Sequence, residues 1–200
     1  MITIYFIRHA QPDPSSGYNP EFPLTEQGKR DAEYIADVLG NKQIDAIYSS
    51  SYIRAVQTVT PLAEKMGLEV IKEYGLRERT AGKWQDSYPD YASYITAQLL
   101  DYSCNAEDGE NLKEVQDRCF EVLDRIISKH DGETVAVGTH GMALSTILTH
   151  CYPQFNEKDF HQIVDLMPFV LRLDIENGEA VNYQIELAVR REYPNSYLKL

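Results

Sequence analysis

The sequence predicts an α/β fold: a mostly parallel central sheet with helices on both faces. Three observations predict it, namely short and nearly continuous apolar runs, helical patterns between them, and a late pair of strand-like runs joined by a tight turn. The runs ITIYFI (2–7), AIYS (46–49) and TVAVGT (134–139) are rich in β-branched and aromatic residues. They lack the polar alternation of a strand with one wet face, so each is expected to be buried on both sides. The stretch 25–39 opens on Thr25 as a helix N-cap and stops at Gly40, and the stretch 51–66 stops at Gly67. Over 111–128, Leu112, Val115, Cys119, Val122, Leu123 and Ile126 fall on one stripe with the 3.6-residue period of an amphipathic helix. A further helix is expected to begin near Gly141. FVLRLDI (169–175) and AVNYQIEL (180–187) flank Glu176-Asn177-Gly178-Glu179, where Asn-Gly supplies the positive φ values of a hairpin turn, so this C-terminal pair is antiparallel. Residues 79–109 carry Tyr88, Tyr91, Tyr94 and Tyr102 among acidic and polar residues. They are expected to form a small, partly helical cap inserted into a single domain spanning 1–200.

Composition bounds the function. With 200 residues, 43% of them hydrophobic, the chain can bury a core of its own. A formal net charge of -12 disfavours nucleic acid and anionic membranes, which call for a continuous basic face, so any anion must be met by a local cluster. Cys104, Cys119 and Cys151 are an odd set without C-x-x-C spacing, which favours reduced thiols and a cytoplasmic location. The start MITIYFI lacks a charged n-region and a cleavage site, and no apolar stretch approaches the roughly 20 residues a membrane helix needs, so a soluble protein is expected. The sequence leaves a homodimer open.

Parallel sheets bind ligands beyond the carboxyl ends of their strands. Arg8 and His9 stand just past the first run, and His140 stands just past TVAVGT, immediately before the helix start at Gly141. Arg54 lies one turn into the helix that follows AIYS, so it too can face that rim. Two guanidinium forks, two imidazoles and the free N–H groups of a helix N-terminus make a site for a tetrahedral dianion such as phosphate. His130, His150 and His161 show no such placement. Two histidines could instead bind metal, but there is no H-x-x-x-H pair and no acidic ligand at fixed spacing, so neither a metal nor a cofactor is expected.

Taken in order, IRHAQ, PLTEQGKRDA, IYSSSYIRAVQT, LRERTAGKW, DGENLKEVQDR and AVGTHGMAL resemble the histidine phosphatase superfamily, in the branch that contains the cofactor-dependent phosphoglycerate mutases. The resemblance spans residues 2 to about 148 and implies a phosphoglycerate mutase-like fold. It makes His9 the nucleophile that accepts the phosphoryl group, with Arg8, Arg54 and His140 around its oxygens and Glu78 as proton donor. The backbone at Gly141 and Met142 is expected to donate to the same oxygens, and Ser15 is a further candidate placed by counting from Arg8. Elementary chemistry agrees: a neutral imidazole is a good nucleophile near neutral pH, and water can attack its phosphoramidate. One departure is Ala10, where the family carries glycine, and its methyl is expected to narrow the phosphate approach.

Within this resemblance a phosphatase acting on small phosphorylated substrates is favoured over a mutase. A mutase must hold a phosphorylated acid at both ends, yet between Glu78 and Glu110 only Arg79 and Lys83 are basic, and Met142 stands where mutases resemble one another in carrying asparagine. A silent member that only binds phosphorylated ligands or a protein partner would be expected to lack His9 or Glu78, and both are present.

Overall fold

Residues 1–15 and 19–190 are described by the structure, a computed structural model. In chain order the elements are β1 (Ile2–Arg8), α1 (Glu26–Leu39), β2 (Ala46–Ser50), α2 (Ile53–Met66), β3 (Val70–Glu73), α3 (Tyr91–Leu100), α4 (Leu112–Lys129), β4 (Thr134–Thr139), α5 (Gly141–Cys151), α6 (Glu157–Ile163), β5 (Leu166–Glu176) and β6 (Glu179–Arg190). The six strands form one sheet in the order β3-β2-β4-β1-β5-β6. Strands β3, β2, β4 and β1 run parallel, while β5 and β6 add antiparallel to one edge.

Burial follows the strand period of two. In β1, Ile2, Ile4 and Phe6 join a core with Val115, Cys119, Val122 and Ile126 of α4 and Leu144 and Ile147 of α5. Tyr5 and Ile7 face the opposite way, into a second core with Ile35 and Leu39 of α1 and Val59 and Leu62 of α2. Each face of the sheet therefore has its own helical layer, as the unbroken apolar runs require. Helix starts follow their caps: Thr25 accepts from the Gly28 amide, and Asn111 forms a capping box with Glu114. The hairpin turn is left-handed at both central residues, with φ of 53° at Asn177 and 82° at Gly178.

Three features depart from the sequence reading. Strand β1 continues through Arg8 rather than ending at Ile7, because Arg8 still pairs with Thr139 on one side and Phe169 on the other. Strand β3 was not predicted: Ile71 and Lys72 are exposed and no apolar run marks the segment, which is a strand because the edge of β2 templates it. Helix α6 is too short to show a period and buries only Phe160, and its one local sign is the Asn156–Asp159 capping box.

Between Glu78 and Glu110 the chain leaves the sheet and returns through a narrow neck. There the Glu110 amide donates to Thr80 O at 2.9 Å and the Lys83 amide to Glu107 O at 2.8 Å. Inside it, α3 places Ile95 against Leu112, Met142 and Phe160, and the Tyr102 hydroxyl donates to Thr149 Oγ1 at 2.9 Å. The segment is thus seated on the first turn of α4, on α5 from Met142 to Thr149 and on Phe160 of α6. Tyr94 is fully buried within it, so that side chain serves its packing. Among the described residues no helix is long and apolar enough to cross a membrane.

Candidate active site

Strands β1 and β4 are parallel neighbours in which Arg8 pairs with Thr139, and the His9 amide donates to Thr139 O at 3.0 Å. His9 and His140 therefore leave the sheet side by side, with ring centroids 5.1 Å apart. Strand β2 flanks β4 on its other side and delivers Ser50, Tyr52 and, from the first turn of α2, Arg54. All of these groups are buried at one rim.

The His9 ring is held by its Nδ1, which lies 2.8 Å from Ala10 O. A carbonyl oxygen can only accept, so Nδ1 carries the proton and Nε2 keeps its lone pair. Burial pushes the His9 pKa well below its ordinary value, and the charges of Arg54 and Arg8 push it the same way. The imidazole is consequently neutral and nucleophilic. Its backbone is fixed from α2, where Thr58 Oγ1 accepts from the Ala10 amide at 2.9 Å and donates to Arg54 O at 2.7 Å. On the other flank Gly28 lets α1 close on this loop, since a Cβ there would lie 2.3 Å from Gln11 O.

His140 is fully buried with Nε2 at 2.8 Å from Ser50 Oγ, and the Tyr52 ring packs edge-on 5.2 Å away. Its Nδ1 is buried without a hydrogen-bond partner. Burial, then Arg54 and His9, hold its pKa well below the usual value. Arg54 is buried with its guanidinium 5.0 Å from the centre of the Tyr52 ring.

Arg8 reaches the rim with one edge engaged: Nη1 donates to Ile163 O at 3.2 Å, Val164 O at 2.5 Å and Leu166 O at 3.3 Å, so this arginine also secures the end of α6. The rest of its guanidinium lies against Gly141, where an added Cβ would meet Cζ at 3.4 Å.

Glu78 stands at the N-terminus of α5. Its Oε2 accepts from the Met142 amide at 3.0 Å, while Oε1 accepts from the amides of Ala143 at 3.2 Å and Arg79 at 2.9 Å. This corrects one expectation, because the Met142 amide, assigned from sequence to phosphate oxygens, is already taken by Glu78. The Met142 side chain points into the apolar contact beneath α3.

Two other expectations change. The Ser15 hydroxyl, expected at the phosphate, donates to Asp13 Oδ1 at 2.6 Å on an exposed turn. The Ala10 methyl, expected to narrow the phosphate approach, is instead packed into a small cluster with Leu24 and Ala32.

Sequence reasoning missed the residues that hold the loop bearing Glu78. Arg118 of α4 donates from Nη1 to Gly75 O at 2.7 Å and Arg77 O at 2.8 Å, and from Nη2 to Glu78 O at 3.3 Å. Glu110 binds Arg118 Nε at 2.9 Å and Arg77 Nη2 at 2.5 Å. Burial pushes the Glu110 carboxyl up, but hydrogen bonds from Arg118 and the Thr80 amide and the charges of Arg118 and Arg77 hold it below the usual carboxylate range. The signal was present, since both residues lie in DGENLKEVQDR, but nothing local says what they bind. Ser50, Tyr52 and Thr58 carried no signal beyond their nearness to Arg54.

No group of three or more His, Cys, Asp or Glu among the described residues is placed to hold a metal ion. Burial pushes the Cys119 thiol up to about 12 and the Cys151 thiol up to about 11, so neither is a reactive thiolate. What remains is a buried neutral imidazole with an open lone pair, a second imidazole, two guanidinium groups and a carboxylate on a helix N-terminus.

Comparison with known proteins agrees. The sequence pattern of the histidine phosphatase superfamily (branch 1) matches residues 4–181. Phosphoglycerate mutase-like protein 4 of Arabidopsis thaliana is 35% identical over 139 residues, which is 65% of this chain and 60% of that protein, so the match spans about three fifths of its length. Phosphoserine phosphatase 1 of Hydrogenobacter thermophilus is 30% identical over 157 residues, covering 70% of this chain and 71% of that protein. The solved structure of a mycobacterial glucosyl-3-phosphoglycerate phosphatase in complex with VO3 superposes with a TM-score of 0.77 at 20% identity, covering 94% of this chain and 99% of that one, which establishes a shared fold.

Proposed function

Because this chain belongs to the histidine phosphatase superfamily, we propose that it is a metal-independent phosphatase that hydrolyses small phosphomonoesters through a phosphohistidine at His9. The observation that carries this reading is the fixed tautomer of His9, neutral and open at Nε2 beside two guanidinium groups. In the first step Nε2 attacks phosphorus and the ester P–O bond breaks, with Arg8 and Arg54 balancing the charge on the phosphoryl oxygens and the neutral His140 beside them as a hydrogen-bonding group. The alkoxide leaves with a proton from Glu78. Water then attacks the phosphohistidine, gives its proton back to Glu78, and the N–P bond breaks to release phosphate. A carboxylate offers about four lone-pair sites. Three backbone amides fill both sites on Oε1 and one on Oε2, so the proton's place is the second site on Oε2.

A phosphatase is favoured over a mutase by what surrounds the phosphate. Of the two cations between Glu78 and Glu110, Lys83 is spent at the surface on Glu107 and Asp108, and Met142 is sunk in apolar packing. The relative named phosphoserine phosphatase 1 supports this reading, and the one named phosphoglycerate mutase-like makes isomerisation the second reading. We read the chain as one domain with 79–109 as its cap. Its three free cysteines favour the cytoplasm.

The test is chemical. Brief exposure to a phosphomonoester followed by an alkaline denaturing quench is expected to leave acid-labile phosphate on His9, and His9→Ala is expected to remove both label and turnover, the latter by about a thousandfold or more. A label on serine or aspartate would overturn the mechanism. Stoichiometric isomerisation of phosphoglycerate faster than phosphate release would establish the mutase reading instead.

A further inference from the structure

The fully buried His140 ring packs against the rings of His9 and Tyr52, whose centres lie 5.1 and 5.2 Å from its own. Its two nitrogens are treated differently. Nε2 lies 2.8 Å from Ser50 Oγ, whereas Nδ1 is buried with no hydrogen-bond partner. Ser50, the last residue of β2, is as buried as the ring, and its Oγ already accepts from the Tyr52 amide at 3.2 Å. The acceptor that its hydroxyl proton has is His140 Nε2. If Nε2 carried a proton instead, the Ser50 proton would be left in the interior with no acceptor among the described residues, which is costly. The hydroxyl therefore donates to Nε2, and the neutral ring keeps its proton on Nδ1. That N–H is a buried donor without an acceptor, and Arg54, His9 and Arg8 stand close enough for their charges to bear on the ring. An unmet donor in a site built for an anion is explained by the anion's oxygen.

We propose that Ser50 is a positioning residue: its hydroxyl holds His140 as the Nδ1–H tautomer, so that the ring presents a donor, and not a lone pair, to a phosphoryl oxygen. The proposal rests on the phosphatase reading and adds to it the residue that sets the state of the second histidine. The other tautomer would offer phosphate a bare Nδ1, acceptor against acceptor, and the contact would be repulsive. The two histidines thus reach the same tautomer by different routes. Ala10 O accepts from the Nδ1–H of His9 and leaves its Nε2 for phosphorus, while Ser50 fills Nε2 of His140 and leaves its Nδ1–H for oxygen. Their nearness on the rim does not by itself divide these roles; their partners do.

The experiment reads tautomer and function in the same proteins. Long-range proton–nitrogen NMR spectra of wild type with labelled histidine, His140 being assigned by its loss in His140→Gln, are expected to show Nδ1 protonated and Nε2 without a proton. The Nδ1 proton should move when inorganic phosphate is added. Ser50→Ala is expected to shift His140 toward Nε2–H, and to lower both the affinity for inorganic phosphate and kcat/KM for a phosphomonoester by about tenfold to a hundredfold, the usual effect of losing a hydrogen bond to a charged group. Ser50→Thr, which keeps the hydroxyl, should restore the tautomer and most of the activity. Ser49→Ala removes the neighbouring hydroxyl, which donates to Ser50 O at 2.9 Å, and should leave both as in wild type. A wild-type His140 protonated at Nε2 would overturn the assignment without any variant. So would a tautomer unmoved in Ser50→Ala, which together with a lowered Tm would make Ser50 a structural tie between β2 and the end of β4, and so would an unchanged phosphate affinity once the tautomer has moved. Failure of the phosphatase reading shows separately, as a wild type that releases no phosphate from any ester and carries no label on His9. In that event the tautomer and the affinity for inorganic phosphate decide the assignment alone.

Discussion

Replacing Glu78 by Gln preserves the shape of the side chain and removes the charge, and the structure says what that costs. The carboxylate accepts three amide N–H groups, two of them from the first turn of α5. An amide side chain can keep the two bonds on one oxygen, but its NH2 group must then face the Met142 N–H, donor against donor. Losing one hydrogen bond to a charged group costs about 1.5 to 3 kcal/mol, and losing a negative charge at a helix N-terminus costs about 0.3 to 1 kcal/mol more. For a partly buried site we take the lower part of these ranges, about 2 kcal/mol. In a domain of this size that lowers Tm by about 4 to 8 °C. Urea unfolding and thermal melts measure it directly. Unchanged stability would refute the placement of Glu78 on α5.

The same variant tests the chemistry. Hydrolysis of an alkyl phosphate should slow by about a hundredfold to ten-thousandfold, because its alkoxide needs a proton. An aryl phosphate should suffer much less, since phenolate leaves unaided, and phosphohistidine should then accumulate as a burst when the second step becomes limiting. Equal losses on the two substrates without a burst would reject Glu78 as the acid.

Two further outcomes follow from the buried charges. Excess chelator should leave the rate unchanged, because protein groups neutralise the phosphate; loss of activity restored by a divalent ion would make the histidines ligands. His9 and His140 should remain neutral well below pH 6.5, since burial and Arg54 depress both, whereas in the unfolded chain each titrates near about 6.5. As pH falls below that value the unfolded state takes up protons that the folded state does not. Stability should therefore fall by at most about 2.7 kcal/mol per pH unit for the pair, as urea unfolding at a series of pH values would read. Imidazole resonances of either residue moving with a midpoint near 6.5 would contradict the burial argument.

What could be read from sequence was local. Runs such as ITIYFI declare a strand buried on both faces, and a residue placed just past such a run is on the rim whatever the rest of the chain does. That is why Arg8, His9 and His140 were legible, and Arg54 nearly so, one turn into its helix. Strand β3 was not legible because its pairing with β2 is the reason it is extended. The Arg118–Glu110–Arg77 network was equally hidden, because it joins α4 to a loop far earlier in the chain, Arg118 and Arg77 being separated by 41 in sequence. Ser15 was the least legible for the opposite reason: counting along a loop gives distance in sequence but no direction in space.

The sequence reading also divided the N-terminus of α5 wrongly, and the correction bears on mechanism. A helix N-terminus attracts any anion through its free N–H groups and its dipole. Read from sequence, Gly141 and Met142 both belonged to phosphate. In the structure the amides of Met142 and Ala143 belong to Glu78, while Gly141 lies against the Arg8 guanidinium. One helix end therefore holds the Glu78 carboxylate through the amides of its second and third residues and packs its first residue against the Arg8 guanidinium. The position of Glu78 relative to Arg8 is then set by three consecutive residues of one helix. A carboxylate on a free loop could not keep that position, and the Arg118 bonds to the Gly75, Arg77 and Glu78 carbonyls hold the loop from the side of α4.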